Sequence, residues 1–314
     1  MSWLRLTTVA LLAAAVSGCF PDYQVEESSV HPGDMRTIAA TNQSLAFSTN
    51  GENFSVRFDY DFAIDRYEVT VGRFQAWLDS GQDAPVPCES GTCSLEAGGP
   101  YATQMTWDSA WNARARQMNF RRFNDAGECY SPTPYGQKST WELGQSPDEA
   151  NLPMTCVSWF QAAAFCAWEG KRLPTDSEWV FAVTNSGKNL TAFPWGDTEP
   201  GCSRAIVNGC PFPADVGSAS EGATAEGVED MVGNVFEWVW NAQTNSPNEL
   251  PVNGLNWAGP AAPLGSAAES ILHNRHGGAY ISPPSESVLR SDTVEAFVAT
   301  DFYLDAGFRC ARSL

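Results

Sequence analysis

The sequence predicts an α+β protein that is loop-rich, has little regular secondary structure and is stapled by disulfides. Three observations carry that expectation. Phe54, Val56, Phe58, Tyr60, Phe62 and Ile64 alternate with Ser55, Arg57, Asp59, Asp61 and Ala63, the period of two that sets one side of a strand against a core. Two segments, Val157–Trp168 and Pro174–Phe181, have the composition and end signals of helices. Beyond about Val183, Gly, Pro and Asn recur through Phe193–Asp197, the acidic stretch Ser218–Glu229 and the stretch Asn245–Ser270, so loops dominate there. Loops of this length carry function or are held by metals and disulfides.

From the start of the chain, Arg5 precedes an apolar run from Leu6 to Val16, interrupted by Thr7 and Thr8, that is too short to span a bilayer as a helix. It ends in Val16-Ser17-Gly18-Cys19, which resembles a bacterial lipobox, with Cys19 as the lipidated residue. Residues 1–18 are therefore expected to be a lipoprotein signal peptide, 19–50 the lipidated cysteine with a flexible polar tether, and 51–314 one folded domain. Acyl chains on Cys19 would anchor the protein to a membrane, each buried methylene contributing about 0.8 kcal/mol. This places the domain in the cell envelope, outside the cytoplasm. Phe20, in place of an aspartate, favours the outer membrane or the periplasmic face.

Within the domain, Thr70 can cap a short helix whose Val71, Phe74, Trp77 and Leu78 share a face and which stops at Gly81. Residues from about Ala84 to Glu149 are rich in Gly, Pro, Ser and Asn and read as an irregular insertion. Val157–Trp168 is apolar nearly all round, as a buried helix requires, with Gly170 as its stop. Thr175 and Glu178 have the spacing of a capping box ahead of Trp179, Val180 and Phe181.

Charge and cysteine usage narrow the functional classes. A net charge of −19 opposes binding to phosphate backbones, so no nucleic-acid partner is expected; the basic residues Arg114, Arg116, Arg121 and Arg122 read as a solvated face or a salt-bridge network. Of the nine cysteines, those other than Cys19 are Cys88, Cys93, Cys129, Cys156, Cys166, Cys202, Cys210 and Cys310, an even set suited to disulfides in an oxidising compartment. Eight cysteines allow 105 pairings. No C-x-x-C pair occurs, and three histidines (His31, His273, His276) are too few for a typical zinc cage with thiolates.

Seven blocks carry a resemblance. They are Phe62–Thr70, Val157-Ser-Trp159, Gly170–Trp179, Phe193–Asp197, Asp230–Trp238, Gly277-Gly-Ala-Tyr280 and Gly307-Phe-Arg-Cys310, in one order over roughly Phe58 to Leu314. Together they resemble the formylglycine-generating enzymes, the sulfatase-modifying factor family. The resemblance implies a fold related to C-type lectins, and its chemistry would be copper-dependent oxidation of a cysteine.

Asp230 and Glu237 supply two hard carboxylates, and Gly233 and Asn234 allow a tight loop between them, a mixture suited to calcium. The competing reading is a plain turn with Trp238 in the core. The resemblance implies a structural calcium held by the side chains of Asp230 and Glu237 and the carbonyls of Gly233 and Val235. The family's other calcium site lies in the loop after the block Phe193–Asp197, and it is not carried over, because Cys202 to Cys210 and the shorter acidic stretch there do not match it. The resemblance also implies a disulfide between Cys166 and Cys310. Nearness then suggests Cys88 with Cys93 and Cys202 with Cys210, leaving Cys129 with Cys156.

The catalytic positions depart from the family. Its copper-binding cysteines fall on Ser282 and Ser287, Phe236 stands where Trp is usual, and Ala279 stands where Ser is usual. Copper(I) is a soft ion that prefers thiolate, and a serine hydroxyl does not replace one. Copper is therefore not expected, and no residue is assigned a catalytic role. Ser282 precedes Pro283-Pro284, and no Gly-x-Ser-x-Gly elbow accompanies either serine. His273 and His276 are reminiscent of iron-binding relatives that make ergothioneine-type products, but those draw their histidines from a further helical domain, and surface or loop histidines are the expectation here. The resulting expectation is a non-catalytic binding or structural module for a protein or glycan partner. The alternative is an oxidoreductase of the sulfatase-modifying type.

Overall fold

The computed structural model describes residues 34–41, 44–49, 52–81, 85–95, 105–117, 129, 139–143, 149–212, 214–242 and 272–314. Residues 1–18, Cys19, His31, Arg121, Arg122 and the stretch Asn245–Ser270 lie outside the described residues.

Two small sheets organise the described chain. In the first, β4 (Phe62–Asp65) lies between β1 (Met35–Ile38) and β11 (Ala311–Ser313), both antiparallel to it, with Ile38 opposite Phe62 and Ala311 opposite Ile64. β1 comes from the segment assigned above to the tether. Ile38 is fully buried, because its side chain completes the core face of β4; the folded body therefore includes Met35–Ile38. In the second sheet the order is β10 (Ala306–Phe308), β7 (Phe236–Ala242), β8 (Leu272–His276) and β9 (Glu295–Val298), with β10 parallel to β7 and the other pairs antiparallel. β10 and β11 are separated only by Arg309 and Cys310, so these two residues sit at the joint between the sheets.

The period-two run does not form one strand. It divides into β3 (Glu52–Arg57), which pairs with β2 (Ser44–Thr49), and β4, with a break at Phe58–Asp61. Phe58, Tyr60 and Phe62 still point inward while Asp59 and Asp61 are exposed, so the alternation survives where the pairing does not. The side chains of Phe54 and Val56 lie outside the described set.

The helices start where their caps place them. Thr70 Oγ1 accepts from Arg73 N at the start of α1 (Val71–Asp79). The insertion holds short pieces: β5 (Thr92–Ser94) paired with β6 (Thr106–Asp108), then α2 (Asn112–Ala115) and α3 (Thr140–Leu143). α4 (Trp159–Trp168) opens with a complete capping box between Ser158 and Gln161, and α5 (Asp176–Val183) with one between Thr175 and Glu178; a cap of this kind contributes about 1 kcal/mol. Trp159 to Cys166 are all buried, which matches a helix apolar all round. Three indoles pin these helices and the segment before α4 to β7: Trp159 Nε1 donates to Val239 O at 2.8 Å, Trp238 Nε1 to Val157 O at 3.0 Å and Trp179 Nε1 to Glu237 Oε2 at 2.8 Å. Glu178 is also the buried partner of Arg172, at 2.6 and 2.8 Å, and accepts from Tyr60 Oη at 2.9 Å, so one cap residue ties α5 to the aromatic segment before β4.

Four disulfides join Cys88 to Cys93, Cys129 to Cys156, Cys166 to Cys310 and Cys202 to Cys210. The third links α4 to the joint between the sheets. Among the described residues no helix is long and apolar enough to cross a membrane.

Candidate functional site

The loop before β7 is shaped by three residues of positive φ: Asp230 and Asn234 at 56° and Gly233 at 76°. Asparagine and aspartate tolerate this region, and Gly233 also needs its missing side chain, because a Cβ there would lie 2.5 Å from Ile206 O. The turn carries Asp230 inward, where one carboxylate oxygen accepts from Gly217 N. Seven residues on, Glu237 enters β7 and meets Arg309 from the joint between the sheets. Arg309 Nη2 donates to Oε1 and Nε to Oε2, each at 2.7 Å, and Trp179 Nε1 donates to Oε2 as well.

A third carboxylate belongs to this cluster and was not anticipated. Glu68 lies between β4 and α1; its Oε2 accepts from Asn234 Nδ2 at 2.6 Å and its Oε1 from Val235 N at 3.2 Å. Its only trace in the sequence is its place in the block Phe62–Thr70, 166 positions from Asn234. Glu68, Asp230, Glu237 and Arg309 are all buried. Burial pushes the Glu68 carboxyl well above the usual range, with Asp230 and Glu237 adding to the effect. Asp230 is pushed up to about 6, again chiefly by burial, against the lowering effect of Gly217 N–H and Arg309.

Calcium is the ion that the family pattern implies, and the residues can be tested against it. When ionised, these three buried carboxylates outnumber the one guanidinium among them, Arg309, which is hydrogen-bonded to Glu237 alone of the three. The buried Oδ1 of Asn234 has no hydrogen-bond partner. Hard oxygen donors with that charge fit a divalent cation such as calcium. The predicted ligands Asp230 and Glu237 are both buried at the two ends of the loop that carries Gly233 and Val235. The two oxygens of Glu237, however, face three N–H donors. Among the described residues, the acidic and cysteine side chains that do lie close enough together to share an ion are Asp65, Glu169 and Cys310, and these are already engaged: Arg73 and Lys171 bridge the carboxylates, and Cys310 is in a disulfide.

The region matching the family's oxidase centre has a different character. Ser282 is buried in a turn, its hydroxyl accepting from Ala279 N at 3.2 Å, and its carbonyl accepts from Asn208 N at 3.0 Å. Ser287 is exposed, at the start of a 3-10 turn ending at Leu289. Phe212, just beyond the Cys202–Cys210 loop, stacks face to face on Tyr280 at 3.3 Å between centroids. Phe236, at the usual tryptophan position, lies 3.9 Å from the Arg275 guanidinium, whose other face is 3.3 Å from Phe297. Each of the cysteines from Cys88 to Cys310 is in a disulfide.

The histidines correct the expectation of surface or loop positions. His273 and His276 are buried on β8, because the sheet turns both toward tryptophans: His273 lies 4.1 Å from the Trp159 ring and His276 stacks on Trp179 at 4.6 Å. His276 is spanned between Asp176 Oδ1 at 2.8 Å and Thr293 O at 3.1 Å, leaving neither ring nitrogen for a metal.

Comparison with known proteins agrees with this architecture. The chain is 31% identical over 198 residues to hercynine oxygenase from Mycobacterium tuberculosis, covering 61% of this chain and 40% of that protein. It is 28% identical over 144 residues to inactive C-alpha-formylglycine-generating enzyme 2 from Mus musculus, covering 41% of this chain and 46% of the relative. The chain thus spans less than half the length of either relative. Among solved structures it shares the fold of PvdO from Pseudomonas aeruginosa, with a TM-score of 0.57 at 21% identity over 89% of this chain and 94% of that one. The family description "Sulfatase-modifying factor enzyme 1-like domain" matches residues 22–314, and the chain belongs to that family.

Proposed function

We propose that this protein is a lipid-anchored, extracytoplasmic member of its family whose domain binds or braces a protein or glycan partner and does not carry out cysteine oxidation. The observation that carries this reading is the state of sulfur. The family's two copper positions are Ser282 and Ser287, one buried against a backbone amide and the other exposed, and the eight cysteines among the described residues are consumed in four disulfides. Copper(I) requires soft ligands that this arrangement does not offer. The disulfides themselves suit an oxidising compartment, in keeping with lipidation at Cys19 and attachment at the outer membrane or periplasmic face. A net charge of −19 disfavours nucleic acid as the partner. The relatives include one named as an oxygenase and one named as inactive, so an oxidoreductase is the competing outcome. Elemental analysis of purified protein, with oxygen uptake on cysteine-containing peptides after adding copper(I), separates the two. The expected result is no stoichiometric copper and no turnover; stoichiometric copper with turnover would establish the oxidase.

The same reading includes a structural calcium in the Asp230–Glu237 loop. The support is the buried surplus of carboxylate beside the unpartnered Asn234 oxygen. A ligand that binds the folded state alone raises stability by mass action. Chelation is therefore expected to lower the Tm reversibly, and a melting curve unmoved by chelator would remove calcium from the proposal.

A further inference from the structure

We propose that the cavity between the β4–α1 link and the loop at Asp215 is a glycan site that takes one neutral sugar ring. This rests on the partner-binding reading above and chooses a glycan over a protein as the partner.

The cavity has a volume of about 250 Å³ and is lined by Tyr67 and Glu68 from the link, Arg73 from α1, Asn151 from the segment before α4, and Asp215 from the loop after Cys210. Glu68 is fully buried and Asp215 is exposed, so the cavity runs from the surface inward. Sites for drug-sized ligands are larger, about 300–1,000 Å³, and mostly apolar. This one is smaller and polar, so it seats a single ring with the rest of a chain outside. Neither Asp230 nor Glu237 lines it, and neither does Ser282 or Ser287. Its walls are fixed. Val216 N donates to Asn151 O at 3.1 Å, and Asn234 Nδ2 and Val235 N hold the two oxygens of Glu68. Gly217 lies so close to Tyr67 that a Cβ there would be 2.6 Å from the ring. Walls ordered in advance reduce the entropy lost on binding.

The class of ligand follows from the hydrogen-bonding groups left unused. Arg73 is only 5% exposed, and its Nε and Nη2 donate to Glu169 and Asp65 while Nη1 makes no hydrogen bond among the described residues. The side chains of Asn151 and Asp215 make none there either. Each oxygen of Glu68 accepts one bond and has a lone pair to spare. Unused donors and unused acceptors therefore share one small space. An ammonium group only donates. It would suit Glu68 and Asp215, but it would bring a positive charge to Arg73 and leave Nη1 and the Asn151 amide hydrogens unmet. A carboxylate or phosphate only accepts; it would meet two carboxylates, and Arg73 is already paired with Asp65 and Glu169 at 2.9 and 2.5 Å. A hydroxyl both donates and accepts. A neutral ring carrying several hydroxyls satisfies both sets of groups without adding charge.

The test is saturation-transfer NMR, then titration calorimetry, of the full chain with a panel of neutral hexoses, N-acetylhexosamines and their disaccharides, using hexylamine and glutarate as cationic and anionic competitors. At least one saccharide is expected to bind, and neither competitor to displace it. Asp215→Ala should weaken that binding about tenfold or more, as loss of a hydrogen bond to a charged group does, and Asn151→Ala a few-fold, as loss of a neutral one does. Both variants should keep the parent Tm, because neither side chain is bonded in the free protein. If no saccharide binds, or if both variants bind as the parent does, the site is overturned. Displacement by hexylamine would make this an amine site and overturn the sugar assignment. Failure here without copper-dependent turnover leaves the non-oxidase reading standing, whereas turnover with copper removes that reading whatever the saccharides do.

Discussion

His273 Nδ1 lies 3.2 Å from the carbonyl of Trp240, and since a carbonyl only accepts, this nitrogen carries the ring hydrogen. Nε2 has no partner, and burial pushes the imidazole down to about 3. Below pH about 6.5 the unfolded chain takes up a proton that the folded protein refuses. Stability from this residue is therefore complete above about pH 6.5 and is lost toward pH 3, with a slope of up to about 1.4 kcal/mol per pH unit. Asp230, raised to about 6, has the opposite sign: its contribution is complete below its ordinary value of 3.8 and is lost as pH rises through about 6. The test is thus a difference measurement. His273→Phe should flatten the acid side of a urea-stability profile relative to the parent, and an unchanged slope would show that the ring protonates in place. At this scale the sequence exposes residues that act through near neighbours. Asp230, Gly233 and Asn234 share one turn and were visible as a motif. The roles of Glu68 and Arg309 arise where β4, the loop before β7 and the joint between the sheets converge, and no local spacing encodes that meeting.

The elements that were readable are those whose signals are local. Thr70, Ser158 and Thr175 each accept from the amide three residues on, and helices begin there. The strand prediction failed for a non-local reason. Asp61 Oδ1 accepts from Ala40 N at 2.7 Å and its carbonyl accepts from Leu314 N at 3.0 Å, so both ends of the described chain cross the period-two run at the point where it breaks. The two disulfides that close short loops are also local, whereas Cys166–Cys310 has a sequence separation of 144 and came only from family resemblance. Loop-closure entropy makes that bond worth about 5 kcal/mol against about 2 for Cys88–Cys93, whose separation is 5. Replacing Cys166 and Cys310 together by alanine should lower the denaturant midpoint more than twice as far as replacing Cys88 and Cys93 by serine. Equal shifts would mean that the unfolded chain retains structure across α4 and the last strands.

At the scale of the whole molecule, the scaffold was legible because the family's blocks fall on turns, caps and sheet joints. One global property does make a prediction. The net charge is −19 with only 18 Lys and Arg, and several of those cations are buried in pairs: Arg73 with Asp65, Lys171 with Asp65, Arg172 with Glu178 and Arg309 with Glu237. Buried pairs are screened little by salt, whereas surface repulsion is screened strongly as the Debye length falls from about 30 Å at 0.01 M to about 10 Å at 0.1 M. Removing cations to the interior therefore leaves a surface whose remaining charges are mostly of one sign, and compaction works against their repulsion. Melting temperature, measured in chelator to exclude divalent ions, is expected to rise with sodium chloride across that range. A fall would place the stabilising ion pairs at the surface, where salt weakens them, and would contradict the division drawn here between a paired interior and a self-repelling exterior.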